Sequence, residues 1–389
     1  MWYFRSPEIV FGKDALEHLE TLTGKRAFIV TDPVIVKLGF VELVGGHLKQ
    51  AGLDYDYFSE LEREPALQTV LAGAEKLAAF RPDWIVGLGG GSAMDSAKAM
   101  WILYENPGFD LEVVNPFADL VLRQKARLIA IPTTSGTGSE CTWALVLTDT
   151  IENRKLGLGH PEILPDLAII DPILPQKMPA RLTADTGFDV LTQAIEGYTA
   201  ALHNDFSDGV CLKALQLVFD YLPRAVEDGH DLEAREKMHN AATLAGLGFG
   251  NSMAALAHSL GHSFGAIFHV PHGRAVGLFL PYTIQFIERG PTPTRFHEIS
   301  RFLGLPACTS QEGAASLVTA IQSLAKTVGQ PLTIPDTVNV DEDAFNTKLP
   351  QLVANAEADS VIAMSSRIPT TREIALLLQY AYKGKDVNF

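Results

Sequence analysis

The residue types best suited to chemistry sit in two stretches of the second half of the chain. ALAHSLGHSFGAIFHVPHGRA carries four of the eleven histidines: His258, His262, His269 and His272. His258 and His262 are four apart and share one face of a helix. His272, between Pro271 and Gly273, falls at a turn or helix end. Two imidazoles one turn apart and a third further on can converge on a metal ion. The H-E-x-x-H pattern of zinc proteases is absent from the segment. Upstream, TGFDVLTQAIEGY sets Asp189 and Gln193 four apart with Glu196 on the same side, while Leu191, Ile195 and Tyr198 form an apolar face. Those polar residues also fit a solvated helix face, and the histidines fit core or capping roles. Against the latter, the surroundings AALAHSLGHSFGAIF are almost all apolar or small, and a buried imidazole without a partner is costly.

The first half offers a different chemistry. GLGGGSAMDSAKAM runs from the end of a strand, Trp84–Leu88, into a helix. Gly89, Gly90 and Gly91 permit positive φ and close backbone approach, and Ser92 is a good N-cap residue. The first-turn N–H groups and the helix dipole there favour a phosphate, and Asp95 suits the dipole's positive end even without a ligand. A ligand-free tight turn is the alternative. Neither G-x-G-x-x-G nor the Walker lysine pattern is matched. A second loop, IPTTSGTGSE, puts Thr133, Thr134, Ser135, Thr137 and Ser139 after the strand Arg127–Ile131, where a doubly wound sheet gathers ligands. It holds no G-x-S-x-G nucleophile elbow. In VTDP, Asp32 follows the strand Ala27–Thr31. A carboxylate there can bind ribose hydroxyls and repel a 2′-phosphate, and equally can start an Asp-Pro turn.

The elements that position these residues are legible as periodicity. Strand patterns at Ala27–Thr31, Tyr55–Phe58, Trp84–Leu88, Arg127–Ile131 and Leu167–Ile170 alternate with helical ones after Pro33, over Leu67–Phe80 and over Ser92–Tyr104. That rhythm predicts a parallel sheet with helices on its faces. Beyond Leu182 the strand signals fade into helical stretches at Asp185–Ala201, Gly209–Leu222, Leu232–Gly246 and Gly313–Val328. The Pro-rich segment Pro161–Pro179 marks the boundary, giving domains 1–180 and 181–389. The acidic run Glu227–Glu236 reads as a solvated loop joining helices. Trp2–Phe11 has strand-like composition, and an exposed edge strand favours pairing between chains. The 46 acidic against 31 basic residues give a net charge of −15, which argues against nucleic acid or an anionic membrane as partner. Three scattered cysteines fit a reducing, cytoplasmic setting. The longest apolar run, near Ala275–Ile284, is too short to span a bilayer and contains Pro281.

Taken together, VTDP, GLGGGSAMDSAK, IPTTSGTGSE, Lys155 before the Pro-rich connector, IIDP, TGFDVLTQAIEGY and LAHSLGHSFGAIFHVPHGRAVGLFLPY resemble the iron-containing (group III) alcohol dehydrogenase family along essentially the whole chain. The resemblance implies an N-terminal Rossmann-like α/β dinucleotide-binding domain and a C-terminal all-helical metal and substrate domain, an architecture shared with dehydroquinate synthase. It implies NAD as cofactor, NADP being possible, with Asp32 at the adenosine ribose and Gly89, Gly90, Gly91, Ser92 and Asp95 around the pyrophosphate. Thr133, Thr134, Ser135 and Thr137 would line the cofactor, with Lys155 reaching its ribose. The family's metal ligands are an aspartate, a histidine one turn on and two later histidines. Asp189, His258 and His272 fill three of these places, and Gln193 stands in the second. A three-ligand site with an open fourth position matches the catalytic zinc pattern, so Fe2+ and Zn2+ both fit. His262 matches the histidine beside the nicotinamide, suited to proton relay, and Phe249 would face the reacting carbon. The implied activity is metal-assisted hydride transfer between nicotinamide and a small alcohol or aldehyde, in a homodimer or dimer-based oligomer. The alternatives are a metal-free or degenerate nucleotide-binding relative and, with only Arg274 as a cation in the histidine segment, a dehydroquinate synthase-like lyase.

Overall fold

A computed structural model describes residues 3–62, 65–149 and 154–389, with the backbone alone at residues 149, 154 and 155. The chain divides into two compact units, Arg5–Lys177 and Met178–Phe389, the second including the N-terminal residues up to Phe4.

The first unit is built on a six-stranded sheet: β1 (Glu8–Phe11), β2 (Arg26–Val30), β3 (Asp54–Phe58), β4 (Trp84–Gly89), β5 (Arg127–Pro132) and, later in the chain, β8 (Leu167–Ile170). The order is β1-β8-β5-β4-β2-β3, and every neighbouring pair is parallel. Its central strands read as unbroken apolar runs because both faces are covered. Phe28 and Val30 pack on one side with Ile85 and Trp101, while Ala27 and Ile29 pack on the other with Val86, Leu88 and Phe40, the period-two alternation of a strand. Helices α1 (Pro33–Lys37), α2 (Phe40–Gln50), α3 (Leu67–Phe80) and α4 (Gly91–Glu105) connect these strands. The helical pattern after Pro33 divides in two because Gly39, at φ 80°, ends one helix and starts the next. An antiparallel hairpin, β6 (Ala144–Asp149) with β7 (Arg154–Gly159), stands apart from the main sheet. The predicted N-terminal strand is present as β1, an edge strand, with Trp2 outside the described residues.

The second unit is helical throughout its described length: α5 (Ala180–Thr199), α6 (Asp205–Glu227), α7 (Leu232–Gly250), α8 (Leu256–Phe268), α9 (His272–Glu288), α10 (Phe296–Phe302), α11 (Ser310–Val328), α12 (Ile334–Thr337), α13 (Glu342–Ala358) and α14 (Thr371–Lys383). Phe188, Leu191, Leu215, Leu260, Phe264 and Phe279 lie at its core. The acidic run departs from expectation. Only residues 228–231 are loop; Asp231 caps α7, and Arg235 within the run is fully buried. The Arg235 guanidinium donates to Gly229 O, Thr183 Oγ1 and Met178 O, which explains a cation in the core. Among the described residues no helix is long and apolar enough to cross a membrane.

Candidate functional site

In a parallel sheet the loops at the carboxyl ends of the strands gather where the strand order reverses. Here the reversal lies between β2 and β4, because β3 flanks β2 on one side while β4, β5 and β8 extend on the other. Three loops are laced together there. Thr31 Oγ1 donates to Leu88 O at 2.7 Å, and Thr133 N donates to Gly89 O at 2.9 Å. Gly89 has φ 153°, and a Cβ at this position would stand 2.7 Å from the Ala93 methyl and 3.7 Å from Asp32 Oδ2. A Cβ on Gly91 would meet Thr137 Cγ2 at 2.9 Å, and one on Gly90 would touch Thr134. Asp32, the glycine turn, Thr133, Thr134 and Thr137 are therefore one cradle of small groups over the N-terminus of α4. Such a cradle fits a dinucleotide, since bare backbone N–H groups at a helix start suit its phosphates.

Some residues take places the sequence reading did not give them. Gly90, not Ser92, is the N-cap of α4, so Ser92 lies inside the first turn. Asp32 Oδ1 caps α1, accepting from Val34 N and Ile35 N, so the turn-starting role is real whatever Oδ2 does. Asp95 is turned inward: its oxygens accept from Ser139 Oγ at 2.5 Å and Val146 N at 2.9 Å. Lys155 pairs with Thr148 through the hairpin backbone, and its side chain lies outside the described part.

In the helical unit, Asp189 on α5, His258 on α8 and His272 at the start of α9 present ligand atoms all within 4.8 Å of one another. His272 Nε2 lies 3.3 Å and His258 Nε2 3.8 Å from the same Asp189 Oδ1. That oxygen is buried and accepts no hydrogen bond, an arrangement that costs stability unless a cation fills it. The nearby imidazoles hold the Asp189 carboxyl below the ordinary carboxylate range, against the opposing pull of burial. One carboxylate oxygen and two imidazole nitrogens form the donor set of a three-ligand catalytic metal centre. Gln193, one turn along α5 from Asp189, is buried as well.

A second ring of contacts orients the first. Glu196 accepts from His258 Nδ1 at 2.5 Å, Ala255 N at 2.8 Å and Ala257 N at 2.5 Å. It thereby fixes the proton on Nδ1 and leaves Nε2 as the donor atom toward Asp189. Burial opposes charge on His258, but Glu196 and then Asp189 outweigh it and raise the imidazole's pKa. Asp359, just beyond α13, accepts from His262 Nδ1 at 2.7 Å. Desolvation against the surrounding residues nevertheless outweighs Asp359 and, with His272 nearby, lowers the His262 pKa. The His262 ring stacks on that of His272, centroids 5.2 Å apart, and Phe249 stacks on His258 at 6.3 Å. About 100° further round α8, one residue after each histidine, Ser259 Oγ and Ser263 Oγ donate to Ala356 O and Leu352 O of α13. Arg274 is committed to Asp185 through two bonds of 3.0 and 2.8 Å.

Glu196 carries a sequence signal, seven residues from Asp189 on the same helix side. Asp359 carries none, since 97 residues separate it from His262.

A doubly wound parallel sheet and, in the same chain, a helical unit with a carboxylate–imidazole cluster able to hold a metal are together what a metal-assisted dehydrogenase requires. Residues 6–172 match the family described as iron-containing alcohol dehydrogenase, and residues 183–382 match the C-terminal domain of the same family. The chain belongs to the iron-containing alcohol dehydrogenase family. It is 38% identical over 385 residues to an NADPH-dependent butanol dehydrogenase of Clostridium saccharobutylicum, covering 98% of each chain. The iron-containing alcohol dehydrogenase of Thermococcus thioreducens superposes with a TM-score of 0.90 at 33% identity, over 99% of this chain and 100% of that one. Sulfoacetaldehyde reductase of Bifidobacterium kashiwanohense, solved with NAD+, gives a TM-score of 0.87 at 28% identity, over 98% of this chain and 99% of that one. The chain spans about half the length of the aldehyde-alcohol dehydrogenases it also matches, 46% of that of Streptococcus pneumoniae.

Proposed function

We propose that this chain is an NAD(H)-dependent alcohol dehydrogenase and aldehyde reductase, cytoplasmic and dimer-forming, with a divalent Fe2+ or Zn2+ held by Asp189, His258 and His272. The observation that carries the reading is the buried, hydrogen-bond-free Asp189 Oδ1 facing two imidazole nitrogens. When bound, the metal supplies Lewis acidity for a substrate oxygen and the nicotinamide supplies or accepts the hydride. The chain's own residues do the rest. The glycine turn and the Thr133–Thr137 loop bind the cofactor, Phe249 packs against the substrate, and His262 moves the hydroxyl proton through the nitrogen that Asp359 leaves open. The test is NADH oxidation with a panel of small aldehydes, before and after chelation and with Fe2+ or Zn2+ restored. Turnover in the metal-replete protein that chelation abolishes is expected; inactivity toward every aldehyde with either metal overturns the reading.

Two residue-level results are expected to accompany it. With Asp32 at the adenosine ribose, beside Gly89, its carboxylate would repel a 2′-phosphate. The wild type should therefore favour NADH over NADPH, and Asp32→Gly should narrow or reverse the ratio of kcat/KM values. An unchanged ratio removes Asp32 from the nucleotide site. The second concerns Asp359, whose carboxylate favours the charged form of His262. Asp359→Asn withdraws that support, so the His262 pKa falls further. In alcohol oxidation, where neutral His262 accepts the proton, the acid limb of the kcat/KM profile should move to lower pH, with kcat down by about 10- to 100-fold. A profile that stays in place argues against His262 as the relay.

A further inference from the structure

The α/β unit holds one chemically expensive group that the function above leaves unused. Lys98, on the second turn of α4, is fully buried. Its Nζ lies 2.8 Å from Ser139 O, 2.8 Å from Ser139 Oγ, 3.0 Å from Thr142 O and 2.8 Å from Ala144 O, all acceptors for its three N–H donors. Asp95 Oδ1 is 3.8 Å away and itself accepts from Ser139 Oγ, while its other oxygen accepts from Val146 N. Burial pulls the Lys98 pKa down to about 8, with Asp95, Glu140 and Cys141 opposing that shift, so the group is charged at neutral pH. Burying an ammonium is costly, and this ring of acceptors with Asp95 beside it is what offsets the cost.

What the ammonium holds is informative. Ser139 opens the short 3-10 turn Ser139–Cys141 that closes the Thr133–Thr137 loop, and Ser139 N bonds back to Thr137 Oγ1 at 3.3 Å. Ala144 and Val146 lie on β6, whose partner β7 carries Lys155 opposite Thr148. The helix bearing Lys98 starts at the glycine turn, where Gly91 lies against Thr137. One side chain thus connects the glycine turn's helix, the end of the hydroxyl-rich loop and the hairpin.

We propose that Lys98 is a positioning residue for the nucleotide: it clamps Ser139, Thr142 and Ala144 to α4 and so keeps the Thr133–Thr137 loop and the β6–β7 hairpin in register with the Gly89–Gly91 turn. The inference rests on the nucleotide reading given above. Lys98 touches no cofactor atom itself; it acts through the groups that do.

The experiment measures NADH dissociation by nicotinamide fluorescence, metal content, and kcat and KM for NADH in the wild type, Lys98→Met and Ser139→Ala. Lys98→Met is expected to raise Kd and KM for NADH at least about tenfold, the loss of one set of charge-assisted bonds. Metal content, and kcat at saturating NADH, should stay near the wild-type values. A folded Lys98→Met protein with wild-type Kd overturns the proposal, as does a fall in kcat with Kd unchanged. Should Lys98→Met not fold, Ser139→Ala decides, because it removes one hydroxyl from the ring and leaves the charge in place: a raised NADH Kd supports the clamp and an unchanged one overturns it. A wild-type protein that binds no NADH at all overturns the nucleotide reading beneath the proposal, which the variants alone cannot do.

Discussion

Alanine at His258 or His272 is expected to yield protein without bound metal and with turnover lowered by about a thousandfold or more, the scale of several kcal/mol of lost charge stabilisation in the transition state. Asp189 and one remaining imidazole are too few to retain a labile ion. Gln193→His should act in the opposite direction on affinity, because imidazole is a better ligand than an amide oxygen for first-row divalent ions. Faster turnover need not follow, since a fourth protein ligand takes a position the substrate oxygen could use. Metal content and kinetics of the three variants, measured side by side, decide the matter. A metal-free His258→Ala protein that still turns over removes the metal from the mechanism, and Gln193 would then act on substrate directly.

Nearly as large an effect is expected at Glu196, which acts through His258 and the start of α8. Glu196→Gln keeps the volume but replaces a carboxylate that accepts from His258 Nδ1 and from two backbone N–H groups. The amide presents a single acceptor oxygen, so at least one of those donors loses its partner, and whichever way the amide turns His258 loses the carboxylate charge that strengthens its hydrogen bond. Metal affinity, measured by competition with a chelator, should fall by about 10- to 100-fold. Glu196→Ala removes all three bonds and should in addition lower the stability of the metal-free protein by about 3 kcal/mol, read from thermal unfolding. Wild-type metal affinity in a folded Glu196→Gln protein would confine Glu196 to capping α8.

The elements of both units were largely readable in advance because their signals are local. Leu67–Phe80 and Leu167–Ile170 stand where periodicity placed them, since an amphipathic helix and a fully buried strand each carry their pattern in a few residues. The hairpin β6–β7 was not anticipated: its pairing lies outside the parallel sheet that the strand–helix rhythm announces. Ser92 looks like a cap by composition, but the cap is Gly90, two residues earlier, where Gly91 lies close against Thr137. Asp95 looked like a dipole partner, and only the fold shows Ser139 and Val146 taking its oxygens. Arg235 looked solvated within an acidic run because its three acceptors come from elsewhere in the chain and from a turn. In the candidate metal centre the ligand types and the i, i+4 spacing are visible in the sequence, whereas Asp359 becomes a partner of His262 only when α13 packs against α8.

That packing has a mechanical side. Ser259 and Ser263 lock α8 onto the carbonyls of α13, while His258 and His262, each one residue earlier, swing from the same cylinder toward Asp189 and Asp359. The two imidazoles therefore share one mount: a shift of α13 carried through these serines would move α8, and His258 and His262 with it. Substitutions around 349–359, in a stretch holding no metal ligand, become a fine adjustment of both at once. Selection can tune the chemistry from there without altering a residue that performs it.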